Sequence, residues 1–158
     1  MRIRKANAEH NLEYVSLYKY RSITELKLIP PKWAYGKNVD KLLDYIQNPV
    51  NREYTIFLVN SVDLILNAEL NEINPNILFT GESNNDYRIA RILFRWDNDY
   101  FVDPPCIGIS SPNDKKITFT DGRHRTKLSY ILGHQQIPVA IHNFQIPKIS
   151  DIIKLTTT

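Results

Sequence analysis

ITFTDGRHRTKLSYILGHQQIPVAI, residues 117–141, sets the fold class. Ile117 and Phe119 alternate with Thr118 and Thr120, the period of a half-buried strand. Asp121-Gly122 ends the alternation, and Leu128, Ile131 and Leu132 then recur at the spacing of an inward helix face. Gly133 stands where a helix terminus takes a left-handed residue. Ile137, Val139 and Ile141 alternate once more. The pattern predicts a strand over 116–120, a helix over 123–132 and a strand over 137–142, hence an α/β domain with a mixed sheet.

The corner inside this stretch, Thr120–Lys127 (TDGRHRTK), carries the chemistry. A helix N-terminus presents unpaired N–H groups and about half a positive charge. Gly122 lets the backbone turn tightly and come close to a ligand. Arg123, His124 and Arg125 add cations to an end that already repels them, a cost that an anion would offset. Local rules broken in this way mark functional sites. The corner is therefore read as a phosphate site, with Gly122, Arg123, His124, Arg125 and Thr126 as nucleotide-binding residues. Arginine forks suit phosphate oxygens, and a first-turn Arg125 is expected to be better fixed than Arg123. His124 and Asp121 are the catalytic candidates. His124 can move a proton near neutral pH. Asp121 can cap the helix, orient His124 or Arg125, or hold Mg2+ beside a phosphate. The competing reading is an ordinary Asp-Gly turn before a solvated helix.

Upstream, Asp86–Trp96 (DYRIARILFRW) predicts a helix with Ile89, Ile92, Leu93 and Trp96 on its apolar face. Arg88, Arg91 and Arg95 form a second stripe. With Lys115 and Lys116 they could follow a nucleic-acid backbone, or simply pair with Asp86, Asp97 and Asp99 in solvent. Pro104-Pro105 leads into a predicted strand Cys106–Ser110, and Ser111–Asp114 reads as a hairpin turn. Tyr54–Val59 is a buried-strand run, and Asn38–Gln47 has helical spacing closed by Pro49. Strand is expected within 14–28, and 64–76 is ambiguous. Ser83–Asp86 reads as a turn or N-cap cluster, and polar residues after Pro147 as a tail. His134 and His142 are expected at the surface or a strand edge.

Composition supports one domain over residues 1–158, with 42% hydrophobic and 23% charged residues. No apolar run approaches the roughly 20 residues that span a bilayer, and no apolar segment follows Arg2, Arg4 and Lys5. A cytoplasmic protein without a membrane partner is expected. The lone cysteine, Cys106, excludes an internal disulfide and reads as a buried structural thiol. The net charge of +3 permits an anionic partner without requiring one.

Ile117–Ile141, together with RIARILFRWDNDYFVDPPCIGIS (Arg88–Ser110), resembles the ParB/sulfiredoxin superfamily over Asp86 to Asn143. The resemblance implies a compact domain whose corner binds the phosphates of ATP or CTP. It is similar to stand-alone, plasmid- or phage-borne ParB-like members with ATPase or nuclease activity. Arg123 stands where a sulfiredoxin-like reductase carries cysteine, which argues against redox chemistry. With few residues after Ile137–His142, sequence-specific DNA reading of the partition-protein type is not expected. Three functions remain: a Mg2+-dependent enzyme acting on phosphate bonds, whether nucleotide hydrolase, nuclease or phosphotransferase; a non-catalytic nucleotide- or nucleic-acid-binding module acting through a protein partner; or an immunity or inhibitor protein that keeps the fold without the chemistry.

Overall fold

In a computed structural model, residues 8–42, 53–110 and 115–158 are described. Strands β1 (Tyr54–Asn60), β2 (Cys106–Gly108), β3 (Thr118–Asp121), β4 (Gln136–His142) and β5 (Thr156–Thr157) form one mixed sheet in the order β3-β2-β4-β1-β5. All neighbours are antiparallel except β2 and β4, which run parallel. Among the described residues the sheet is joined by six α-helices: α1 (Ala8–Tyr18), α2 (Ile23–Leu26), α3 (Ser61–Asn67), α4 (Ser83–Asp97), α5 (Arg123–Ile131) and α6 (Ile146–Ser150). The mixed α/β class is as the sequence implies. Among the described residues, no helix is long and apolar enough to cross a membrane.

Helix α4 is the hub. Glu82 caps it, its carboxylate accepting from the Asn84 and Asn85 N–H groups at 3.2 and 3.3 Å. Ile89, Ile92, Leu93 and Trp96 are buried as their spacing requires. Trp96 meets Trp33 edge to face at 5.4 Å and donates its indole N–H to the Lys32 carbonyl. This ties the 32–34 segment to the loop after α4, where Ala34 N–H bonds the Val102 carbonyl.

The strand expected within 14–28 is instead α1 and α2. Val15 and Tyr18 bury a helical stripe against α4, Tyr14 meets Phe94 at 4.8 Å, and the Tyr18 hydroxyl donates to Asp97. Ser22 and Glu25 then form a reciprocal capping box that starts α2. The S-x-x-E pattern of Ser22–Glu25 is the sequence signal for this helix start, and the strand expectation passed over it. The ambiguous 64–76 stretch begins inside α3, which follows β1 directly because the Asn60 side chain accepts the Asp63 N–H at 3.0 Å. The described part of the expected 38–47 helix is a 3-10 stretch, Gly36–Lys41, and residues 43–47 and the Ser111–Asp114 turn lie outside the described residues.

Strand β2 stops short of Ser110 because a side chain completes its ladder. Gln145 accepts from the Ile109 N–H at 3.2 Å and donates to the Ile109 carbonyl at 3.0 Å. The same amide packs on Gly108, where any Cβ would lie 2.3 Å from its oxygen. The expected tail also folds: Ile149 and Ile153 are buried, and β5 pairs with β1.

Candidate functional site

Gly122 fixes the corner between β3 and α5. Its φ of 98° lies in the left-handed region, and a Cβ there would come within 2.6 Å of Pro105 Cα. The close approach is thus to the Pro104-Pro105 segment, not to open space before a ligand. Thr126 is placed differently from the sequence expectation. It is fully buried and its hydroxyl donates to the Gly122 carbonyl at 2.9 Å, so its side chain braces the first turn outside the cleft.

The corner faces α4 across a cleft of about 240 Å³. Arg88, Arg91 and Arg95 line it from α4, Arg123, His124 and Arg125 from α5, and Asp103 and Asp121 supply its carboxylates. The arginine stripe and the corner, read from sequence as two separate sites, are therefore one. Lys115 and Lys116 are not part of it. They are exposed at the opposite end of β3 from Asp121, and the Lys116 ammonium lies 3.8 Å from Glu69.

The guanidiniums divide into structural and cleft-facing groups. Arg95 is 6% exposed, donates twice to the Phe101 carbonyl at 3.0 and 2.8 Å, and stacks over Tyr100. Arg125 donates to the Asp103 carbonyl and contacts Asp121 at 2.5 Å. It is well fixed, as a first-turn residue should be, but by acceptors within the protein. Arg88 is exposed, with Nε on Asn84 at 3.2 Å. Arg123 donates once, to the Phe119 carbonyl at 3.3 Å, and its Nε is buried without a hydrogen bond among the described residues. Such an orphaned charged donor calls for a partner.

His124 sits among these cations. Burial, then Arg88, Lys127, Arg123 and Arg125, hold its pKa down to about 4, so the imidazole is neutral at pH 7. Beneath the corner, Lys127 has no exposed surface, and its ammonium donates to Asn85 Oδ1 at 2.7 Å. Asn85 passes the contact to Asp86, which accepts the Thr80 and Gly81 N–H groups at 2.8 and 3.1 Å. Burial lowers the Lys127 pKa, and Asp86 and Glu82 oppose that shift. This chain of contacts clamps α5 to the start of α4. It was missed in the sequence, although an Asn-Asp pair at a helix start was its trace.

Elsewhere, Cys106 is buried, matching the structural expectation. His142 caps the turn after β4 and stacks on Phe144, while His134 is half-buried against Trp96. A protein-held magnesium ion on Asp121 does not fit the cleft. One Asp121 oxygen is taken by Arg125, and five guanidiniums surround the position. Among the described residues, no group of three His, Cys, Asp or Glu side chains could hold a metal.

The fold and site together define a mixed α/β domain with a cationic cleft at a strand–helix corner. No protein-family profile, curated protein or solved structure matches the chain.

Proposed function

We propose that this chain is a nucleotide phosphate-binding domain of ParB/sulfiredoxin-like type, which takes the phosphates of ATP or CTP in the arginine-lined cleft and hydrolyses a phosphate bond there. One observation carries the proposal. Five guanidiniums against two carboxylates leave a surplus of three positive charges in one cleft, equal to the formal net charge of the whole chain. The remainder of the protein is charge-balanced, so the excess is localised where α5 adds its own positive end. Self-repulsion of this kind destabilises a fold unless an anion neutralises it. Arg123, held by one 3.3 Å contact to the Phe119 carbonyl, supplies a guanidinium for that anion.

The chemistry follows from the neutral His124. Its imidazole accepts a proton from a water molecule as that water attacks phosphorus. The bond to the leaving phosphate oxygen breaks, its electron pair stays on that oxygen, and the guanidiniums stabilise the developing charge. The imidazolium then releases its proton to solvent. Asp121 positions Arg125 through their ion pair. No step is routed through magnesium, so ATP and CTP binding is expected to survive chelation of divalent cations. Phosphate release from ATP and CTP, abolished in His124→Ala while binding persists, tests the reading.

The Asp121–Arg125 pair also favours a second reading, a non-catalytic module that acts through a protein partner. With that carboxylate engaged, His124 is the one neutral base lining the cleft. Nucleotide binding without turnover in the parent protein would select this alternative.

A further inference from the structure

A second groove adjoins the corner, with a volume of about 930 Å³, and shares Arg88, Asp121, Gly122, Arg123 and His124 with the cleft. Its remaining walls have a different chemistry. Asn71 brings an amide, Leu70 and Ile73 bring half-buried apolar surface, and Glu72 brings a carboxylate. The Asn74 and Asn84 oxygens already accept from the Asn76 N–H at 2.9 Å and Arg88 Nε at 3.2 Å, and the Glu82 carboxylate caps α4. Residues 70–73 form a turn closed by the Ile73 N–H on the Leu70 carbonyl at 3.1 Å, with Asn71 at φ 55°.

These two surfaces select opposite ends of one ligand. Arg88 and Arg123 line both surfaces, whereas Glu72 and Glu82 lie on the groove side alone and repel phosphate there. An amide offers both a donor and an acceptor, which suits the edge of a heterocyclic base. Apolar side chains suit its face, and the Glu72 carboxylate can accept from a sugar hydroxyl. A cavity of this size accommodates a drug-sized molecule. A polynucleotide strand would carry further phosphates past Glu72 and Glu82, and so fits poorly.

Resting on the phosphate-cleft reading above, we propose that the groove lined by Asn71, Glu72 and Asn74 is the nucleoside half of the same site. The protein then takes a free nucleoside polyphosphate in preference to a nucleic-acid strand. The amide-bearing turn provides the selectivity, and the arginine cleft provides the charge attraction.

Titration calorimetry with ATP, CTP, inorganic tripolyphosphate and a short single-stranded oligonucleotide tests this. At least one nucleotide is expected to bind about tenfold or more tightly than tripolyphosphate, and the oligonucleotide more weakly than that nucleotide. Asn71→Gly, whose backbone suits φ 55°, should bring nucleotide affinity towards that of tripolyphosphate and leave tripolyphosphate binding unchanged. Tripolyphosphate binding as tightly as both nucleotides would overturn the nucleoside half and leave the phosphate cleft standing. Stronger binding of the oligonucleotide, or equal weakening of both ligand types in Asn71→Gly, would do the same. No binding by any of the four would overturn the groove and the proposed function together.

Discussion

Arg125 Nη2 and Asp121 Oδ2 lie 2.5 Å apart, joining the last residue of β3 to the first turn of α5 across Gly122. The Arg125 side chain is 13% exposed and also donates to the Asp103 carbonyl. Arg125 thereby locks the corner to the loop that precedes β2, and it separates two effects that the sequence assigns to one residue.

Arg125→Ala should lower stability. Losing buried, charge-assisted hydrogen bonds costs about 1.5–3 kcal/mol, and the Asp103 carbonyl loses a donor. Arg123→Ala removes only a 3.3 Å contact, so its melting temperature should stay near that of the parent while phosphate affinity falls about tenfold. Thermal melts and phosphate titrations on both variants check the division. A destabilised Arg123→Ala beside an unaffected Arg125→Ala would reverse the assignment.

His124 gives a pH signature. Its folded pKa, about 4, lies below the unfolded value near 6.5. Above pH 6.5 both states are neutral and the group contributes nothing to the pH dependence. As pH falls from 6.5 to 4 the unfolded chain binds a proton that the folded chain refuses, so stability declines. The parent should lose on the order of 2 kcal/mol more than His124→Gln over that window, after allowance for solvent screening. A phosphate ligand favours the imidazolium, so phosphate binding should tighten over the same range. Denaturant melts at several pH values decide it, and parallel curves for the two proteins would refute the placement of His124.

Lys127→Met should be costly for a different reason. It leaves Asn85 Oδ1 without its donor and removes the cation that balances Asp86, for a loss of about 1.5–3 kcal/mol. One of the charges that holds His124 neutral also disappears. The His124 pKa, followed by NMR titration, should therefore rise in this variant. An unchanged value would show that the Lys127 charge does not help to keep His124 neutral.

The strand–corner–helix–strand order was legible because each element carries a clean period. Ile117–Thr120 alternates, Leu128–Leu132 recurs at helical spacing, and Gly133 has the positive φ its position suggested. The corner's cations were legible as an electrostatic conflict. Their union with Arg88 and Arg91 was not, because the packing of α4 against α5 brings together residues far apart in the chain. Thr126 could not be assigned correctly without knowing which side of the first turn meets the core. The strand expected over 14–28 rests on the high strand propensity of Tyr14, Val15, Tyr18 and Tyr20, whereas the burial of Val15 and Tyr18 against α4 is a tertiary effect.

The central claim is that the surplus charge of the α4–α5 cleft binds phosphate, and calorimetric titration with ATP and CTP at two salt concentrations tests it most directly. The parent should bind at least one of the two, with affinity falling as salt rises. Arg88→Ala/Arg123→Ala should bind at least tenfold more weakly, with a shallower salt dependence and an intact fold. A parent that binds neither nucleotide at low salt, or a double variant that binds as tightly as the parent, would contradict the account.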